Sequence, residues 1–247
     1  MNKRGQVSAY VLIGVVIVFI IGSLAYTQQL RSGATLTQSL TYPPRIQEVR
    51  DVVDSCVEST VHEGLMVLGL QGGYYQLPSR TSVNTALTSF AYWYKNGQAV
   101  VPSLDDIQRE LNLYVKESVG GCAKVEQFQG LQINEGEISA NTVIQEDTVF
   151  VRVEYPLVIQ VGDQTTEVRE AYTTNVQARV MKVYESARGV IENTVKNPDH
   201  IGVTYLAETG LDMEVTPIDA TTLLYVFVDK ESDVNGLPFQ FIIGVEA

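Results

Sequence analysis

The stretch Gln6-Val-Ser-Ala-Tyr-Val-Leu-Ile-Gly-Val-Val-Ile-Val-Phe-Ile-Ile-Gly-Ser-Leu-Ala-Tyr26 contains no charged side chain. A helix rises about 1.5 Å per residue, so about 20 apolar residues match the roughly 30 Å hydrocarbon core of a bilayer. Lys3 and Arg4 precede the stretch, and no acidic residue occurs before Glu48. By the positive-inside rule, this predicts a cytoplasmic N-terminus, a transmembrane anchor helix and an extracellular remainder of the chain.

Two other interpretations of residues 6–26 are a cleaved secretory signal and a buried core helix. A cleaved secretory signal has a shorter apolar region of about 7–15 residues, and Ser23-Leu24-Ala25 matches a cleavage site poorly. A buried core helix would be unusual directly after a basic start, with β-branched residues on every side. The anchor interpretation fits the length and the flanking charges best.

The start of the chain, Lys3-Arg4-Gly5-Gln6-Val7-Ser8, resembles the N-terminus of archaeal type IV pilin-like precursors. In that family a basic residue and a Gly precede a Gln, a Ser follows, and an apolar helix comes next. The resemblance implies cleavage between Gly5 and Gln6, with the helix retained as an anchor or filament core. Many members carry a Glu where this chain has Tyr10.

Small residues in the apolar stretch would allow helices to pack closely, since lipid tails offer no hydrophobic drive for association. Gly14 and Gly22 are about two helical turns apart and share one side. The alternative is that glycine is simply more common in membrane helices. The candidate packing residues are Ser8, Gly14, Gly22 and Ser23.

The charge of the chain is strongly negative, with a formal balance of −12 over 247 residues. After residue 31 there are 14 basic and 29 acidic side chains, a balance of −15. Such a surface repels nucleic acid and anionic headgroups. We interpret it as solubility outside the cell; halophilic adaptation or a cationic partner are alternatives.

The remaining sequence predicts an α+β fold: an ectodomain of amphipathic helices and antiparallel sheets. Steps of three and four residues predict a helix from Arg45 to about Leu70, and Ser103 with Asp106 forms a capping-box pattern for a second helix. After Phe128 the apolar period changes to two, with a further helix at 177–196. The predicted regions are 1–26 (stub and anchor), 27–44 (linker or stalk), 45–128 (helix–hairpin–helix) and 129–247 (sheet plus helix).

The chain has two cysteines, Cys56 and Cys122, and both lie outside the membrane under this topology. An even number in an oxidising compartment predicts one disulfide, and closing so long a loop would stabilise the fold by roughly 4 kcal/mol. The alternative is two buried free thiols.

An aromatic run precedes the hairpin signal Asn96-Gly97. On a strand, Phe90, Tyr92 and Tyr94 share one face and Trp93 takes the other. One interpretation is that one face of this strand lies in the core and the other face packs against a neighbouring helix. The functional interpretation is an exposed aromatic surface for a partner or a glycan.

Several segments together resemble uncharacterised single-span surface proteins of archaea: Gly69-Leu70-Gln71-Gly72-Gly73-Tyr74, Tyr92-Trp93-Tyr94, Val101-Pro102-Ser103-Leu104, and a cysteine on either side of them. The resemblance extends over most of the chain. It implies the same topology and the disulfide, and it implies no activity.

No nucleophile motif, P-loop or dinucleotide fingerprint occurs, and the two histidines lie in no catalytic pattern. Three acidic pairs, Asp105/Asp106, Glu135/Glu137 and Glu146/Asp147, are candidates for capping or, alternatively, calcium. We therefore expect no cofactor and no metal, and a non-enzymatic, membrane-anchored surface protein that assembles into a filament or envelope layer, alone or with other surface proteins. A monomeric receptor or adhesin is the main alternative, and an extracellular hydrolase a lesser one.

Overall fold

The computed structural model describes residues 42–84, 89–197 and 209–246. Its helices are α1 (Pro44–Leu70), α2 (Leu104–Ala123) and α3 (Val180–Lys196). The first strands are β1 (Ser82–Asn84), β2 (Ser89–Lys95) and β3 (Gln98–Ala99). The others are β4 (Gln132–Glu135), β5 (Ser139–Ile144), β6 (Val149–Glu154), β7 (Leu157–Val161), β8 (Gln164–Val168), β9 (Tyr172–Val176), β10 (Asp212–Pro217), β11 (Thr222–Val234) and β12 (Leu237–Glu246).

The predicted fold class needs a correction. The described residues mix helices and sheets as expected, but none of their helices is long and apolar enough to cross a membrane. The reason is visible in the helices, each of which carries charged side chains along its exposed face. The stretch 6–26 lies outside the described residues. So do Gly5, Gln6, Ser8, Gly14, Gly22, Ser23 and most of the linker 27–44.

Helix α1 forms because its apolar residues recur every three or four positions, which gives it one buried stripe. The stripe contains the residues that this spacing predicts, including Ile46, Val53 and Leu65. Gly72 and Gly73 end the helix with φ angles of 71° and 92°, and the Gly73 amide donates to the Leu68 carbonyl at 2.7 Å.

Helix α2 begins with the predicted capping box, in which Ser103 and Asp106 satisfy each other's backbone amides. Helices α1 and α2 approach each other closely at Gly64. A Cβ atom there would lie 2.7 Å from the side chains of Leu111 and Tyr114, so the contact requires glycine.

The largest sheet has the order β1-β2-β12-β11-β10, with β3 paired to β2. Most of its strand pairs are antiparallel, but β2 and β12 run parallel, which corrects the prediction of antiparallel sheets. These two strands are far apart in the chain and joined through other elements, so no hairpin fixes their direction.

Strands β4 to β9 form two three-stranded antiparallel sheets, with the orders β4-β7-β8 and β5-β6-β9. Three successive segments, β4 with β5, β6 with β7 and β8 with β9, each supply one strand to both sheets, and we call the pair of sheets the meander. Pro156 lies at the bend between β6 and β7, where its carbonyl accepts the Gly136 amide at 2.8 Å. Proline cannot donate to a ladder, which is why the strands part there.

Helix α1 lies at the centre of the described structure. It contacts α2, β9 of the meander, and β11 and β12 of the large sheet. The residues from Pro44 onward therefore share one packed unit, which includes both regions, 45–128 and 129–247.

Candidate functional site

Cys56 on α1 and Cys122 on α2 form a disulfide, with Cα atoms 5.7 Å apart. The structure thus contains the bridge that the sequence predicts and not the alternative of two free thiols. Cys56 is buried and Cys122 is exposed, so the bridge ties the core face of α1 to the surface end of α2.

The aromatic run does not form a binding surface, which corrects the functional interpretation of these residues. Phe90 and Trp93 are fully buried, and Tyr92 and Tyr94 are 7% and 5% exposed. The cause is packing on the side chains themselves: Trp93 contacts Tyr184 and Phe241, and Tyr92 contacts Phe90 and hydrogen-bonds with Thr222. Trp93 packs edge-on against Tyr184 of α3 and its Nε1–H donates to the Gly72 carbonyl at 2.9 Å.

The acidic pairs have structural partners or lie exposed in turns. Asp106 caps α2, and its hydrogen bonds from Ser103 hold the pKa of the carboxyl below its usual value. Glu137 pairs with Lys116 at 2.7 Å, and Glu135 accepts from the Tyr155 hydroxyl. Within the described ranges, no three His, Cys, Asp or Glu side chains are grouped so as to hold a metal ion.

The structure instead brings together a set of polar side chains that the sequence analysis did not select. They line an open groove of about 460 Å³ between α1, the end of β9 and the turn from β11 to β12. We call it the polar groove. Its lining residues are Ser55, Glu58, Ser59, His62, Asn175, Gln177, Asp233, Asn235 and Gly236.

One wall of the polar groove is the exposed face of α1. Ser55, Glu58, Ser59 and His62 follow the three- and four-residue spacing that places side chains on one side of a helix. His62 Nδ1–H donates to the Glu58 carbonyl at 2.8 Å, because a carbonyl oxygen can only accept. In the neutral ring, this leaves His62 Nε2 as an acceptor.

The opposite wall joins the end of β9 to the β11–β12 turn. The Asp233 amide donates to the Gln177 carbonyl at 2.8 Å, which fixes the turn to the strand. Asn235 and Gly236 have φ angles of 57° and 79°, as a type I′ turn requires, and the Gly236 amide donates to Asp233 Oδ1 at 2.7 Å.

An ion pair holds β11, the strand that leads into the turn. Arg179, just before α3, donates through Nε to Asp229 Oδ2 at 2.9 Å, and its amide donates to Ser232 Oγ at 2.8 Å. Burial alone would raise the pKa of Asp229, but hydrogen bonds from Arg179, Ser232 and the Glu231 amide outweigh it and lower the pKa. The strand that carries the turn is therefore held by charge as well as by pairing.

The groove carries negative charge. Glu58 and Asp233 contribute carboxylates, and no Lys or Arg of the described residues lines it. The sequence contained one signal of it, the Asn235-Gly236 turn. The other residues are far apart in the chain and meet only after folding.

No protein-family model, no curated protein and no solved structure matches this chain. The resemblances to archaeal surface proteins and to pilin-like precursors therefore stay predictions.

Proposed function

We propose that this chain is a non-enzymatic surface protein whose folded unit, from Pro44 onward, lies outside the cytoplasm. The observation that carries this proposal is the disulfide between Cys56 and Cys122. Structural disulfides form and persist in oxidising compartments and are rare in the cytosol. Because this bridge joins two helices that pack together, we regard it as a structural disulfide.

The charge of the chain supports the same location. The balance of −15 after residue 31 keeps an exposed domain soluble and repels nucleic acid, so we expect protein or small-molecule partners.

As a surface protein, the chain would have a structural role: it would assemble with further copies of itself, or with other surface proteins, into a filament or an envelope layer. The uncharged run at 6–26 and the pilin-like start at Gly5-Gln6 favour it. In this form the folded unit is displayed on the assembly, and its disulfide resists unfolding in an environment without chaperones.

A second candidate is a surface receptor, and the polar groove favours it. The aromatic side chains that first suggested a receptor are buried, whereas the groove is open and preformed. The two roles are compatible in one molecule, because the groove belongs to the folded unit and the assembly signals lie in the N-terminal stretch.

The location is tested by trapping thiols in intact cells and then denaturing the protein without reductant. We expect neither Cys56 nor Cys122 to be alkylated, and both to be alkylated after reduction. Protease added to intact cells should remove the folded unit. Labelling of both thiols without reductant, or full protection from protease until lysis, would refute an extracytoplasmic location.

The assembly is tested by negative-stain imaging and intact mass of the native protein. Filaments or a layer, with a mass that lacks residues 1–5, would support pilin-type processing and assembly. A wholly monomeric native protein of full mass would refute assembly and leave the receptor role.

A further inference from the structure

We propose that the polar groove binds a neutral, polyhydroxylated ligand, that is, a short saccharide. This rests on the proposed function to the extent that an extracytoplasmic domain meets glycans of the envelope or of other cells. The inference itself follows from the chemistry of the groove.

The lining matches the hydrogen-bonding character of sugar hydroxyls, each of which both donates and accepts. Ser55 offers a hydroxyl of the same kind, whereas Ser59 offers an acceptor, because its O–H already donates to the Cys56 carbonyl. Three carboxamides, on Asn175, Gln177 and Asn235, each offer an acceptor beside two donors. Such a surface can satisfy several neighbouring hydroxyl groups at once.

The remaining lining groups are acceptors that suit a ligand rich in O–H donors. The Glu58 carboxylate points along the same face as His62, whose Nε2 is an acceptor in the neutral ring. Asp233 keeps one carboxylate oxygen beyond the one that holds Gly236. Hydrogen bonds to such charged acceptors are stronger than those between neutral groups.

Anionic ligands and apolar ligands fit the groove less well. Two carboxylates, with no Lys or Arg of the described ranges in the lining, repel an anion. An apolar ligand would need apolar walls, and every described side chain that lines the groove is polar. Ligand pockets commonly measure about 300–1,000 Å³, so the groove is large enough for a small ligand.

The groove is also preorganised, which reduces the entropy lost on binding. On the α1 side, Ser59 Oγ donates to the Cys56 carbonyl at 3.2 Å, next to the disulfide. On the other side, the Asp233 amide and the type I′ turn fix the positions of Gln177 and Asn235. The backbone that carries these polar side chains therefore has a defined position before any ligand arrives.

The test is titration of the full-length oxidised protein, by NMR or calorimetry, with three sets of probes. The first set is neutral mono- and disaccharides of glucose, galactose, mannose and N-acetylglucosamine. The second is tetramethylammonium and arginine methyl ester, and the third is sulfate. We expect saturable binding of at least one saccharide and no binding of sulfate, and the two cations test whether the carboxylates alone account for binding.

Variants connect binding to the groove. Asn175→Ala should weaken saccharide binding about three- to ten-fold, the loss expected for one or two hydrogen bonds. Ser55→Trp should abolish it by filling the groove. Asn141→Ala is the matched control, because Asn141 is an equally exposed Asn on β5 of the same meander but outside the groove.

Binding of a charged probe in place of a saccharide would overturn the inference, as would saccharide binding unchanged in both Asn175→Ala and Ser55→Trp. A complete absence of saccharide binding by an oxidised, folded protein would also overturn it, and would leave the extracytoplasmic location untouched. Reduced thiols in intact cells would refute the location instead, so the two failures are distinguishable.

Discussion

Strand β2 and the polar groove differ in two respects: how close their residues are in the sequence, and whether the fold buries them. The four aromatic residues of β2 are neighbours in the chain, and the fold buries all of them. The groove residues come from α1, β9 and a distant turn, and most of them stay exposed. A concentration of aromatic residues in sequence therefore indicates core here, whereas the candidate binding surface exists only in three dimensions.

The largest effect should come from the aromatic strand. Trp93→Ala removes a fully buried indole that packs against Tyr184 and Phe241, and should lower the free energy of unfolding by about 3–5 kcal/mol. Chemical denaturation of the oxidised protein measures it. A loss under 1 kcal/mol would mean that β2 is not core.

A smaller effect should follow from the place where α1 meets β12. Gly69→Ala would put a Cβ atom 2.1 Å from the backbone carbonyl oxygen of Gln240, which cannot move without disturbing the sheet. We expect a loss of about 3 kcal/mol. Gly121→Ala is the control: it is also helical but faces open space, so it should be neutral or stabilising by up to about 1 kcal/mol. Equal effects of the two variants would contradict this packing.

The ion pair between Arg179 and Asp229 should make the free energy of unfolding depend on pH. Asp229 has a lowered pKa, so its contribution is present above the ordinary carboxyl pKa and is lost as the pH falls through the folded value. Asp229→Asn should cost about 2 kcal/mol at neutral pH, since hydrogen bonds to a charged group are removed. The difference from wild type should shrink below about pH 4. A constant difference down to pH 2 would show that the charge of Asp229 does not stabilise the fold.

The smallest effect on stability should come from the groove. Asn175→Ala alters an exposed side chain and should change the free energy of unfolding by less than about 0.5 kcal/mol, while it weakens saccharide binding. Thermal unfolding of this variant and of Asn141→Ala gives the comparison. A large loss in Asn175→Ala alone would make the groove a structural feature.

Local patterns in the sequence predicted the local parts of the fold. The apolar spacing of α1, the capping box at Ser103 and the Asn96-Gly97 turn each involve residues within a few positions of one another. In such cases the residues that cause the local structure are the same residues that form the pattern in the sequence.

Where the partner is distant, the sequence was a weaker guide. A strand alternates its faces, but which face becomes core depends on what packs against it: in β5, Val143 is 40% exposed and its neighbour Ile144 is buried. Val195, in the last turn of α3, is 51% exposed. The parallel pairing of β2 with β12 and the polar groove depend entirely on contacts between remote segments.

The disulfide also determines how the folded unit would respond to mechanical tension. A pull between Pro44 and the C-terminal strand passes from α1 to α2 through the bond between Cys56 and Cys122, and not through the chain between them. That segment, with a sequence separation of 66 between the cysteines, cannot extend while the bond is intact, which removes about 220 Å of contour length from any forced unfolding. A protein displayed on a surface exposed to flow would thus yield by a shorter distance when oxidised than when reduced.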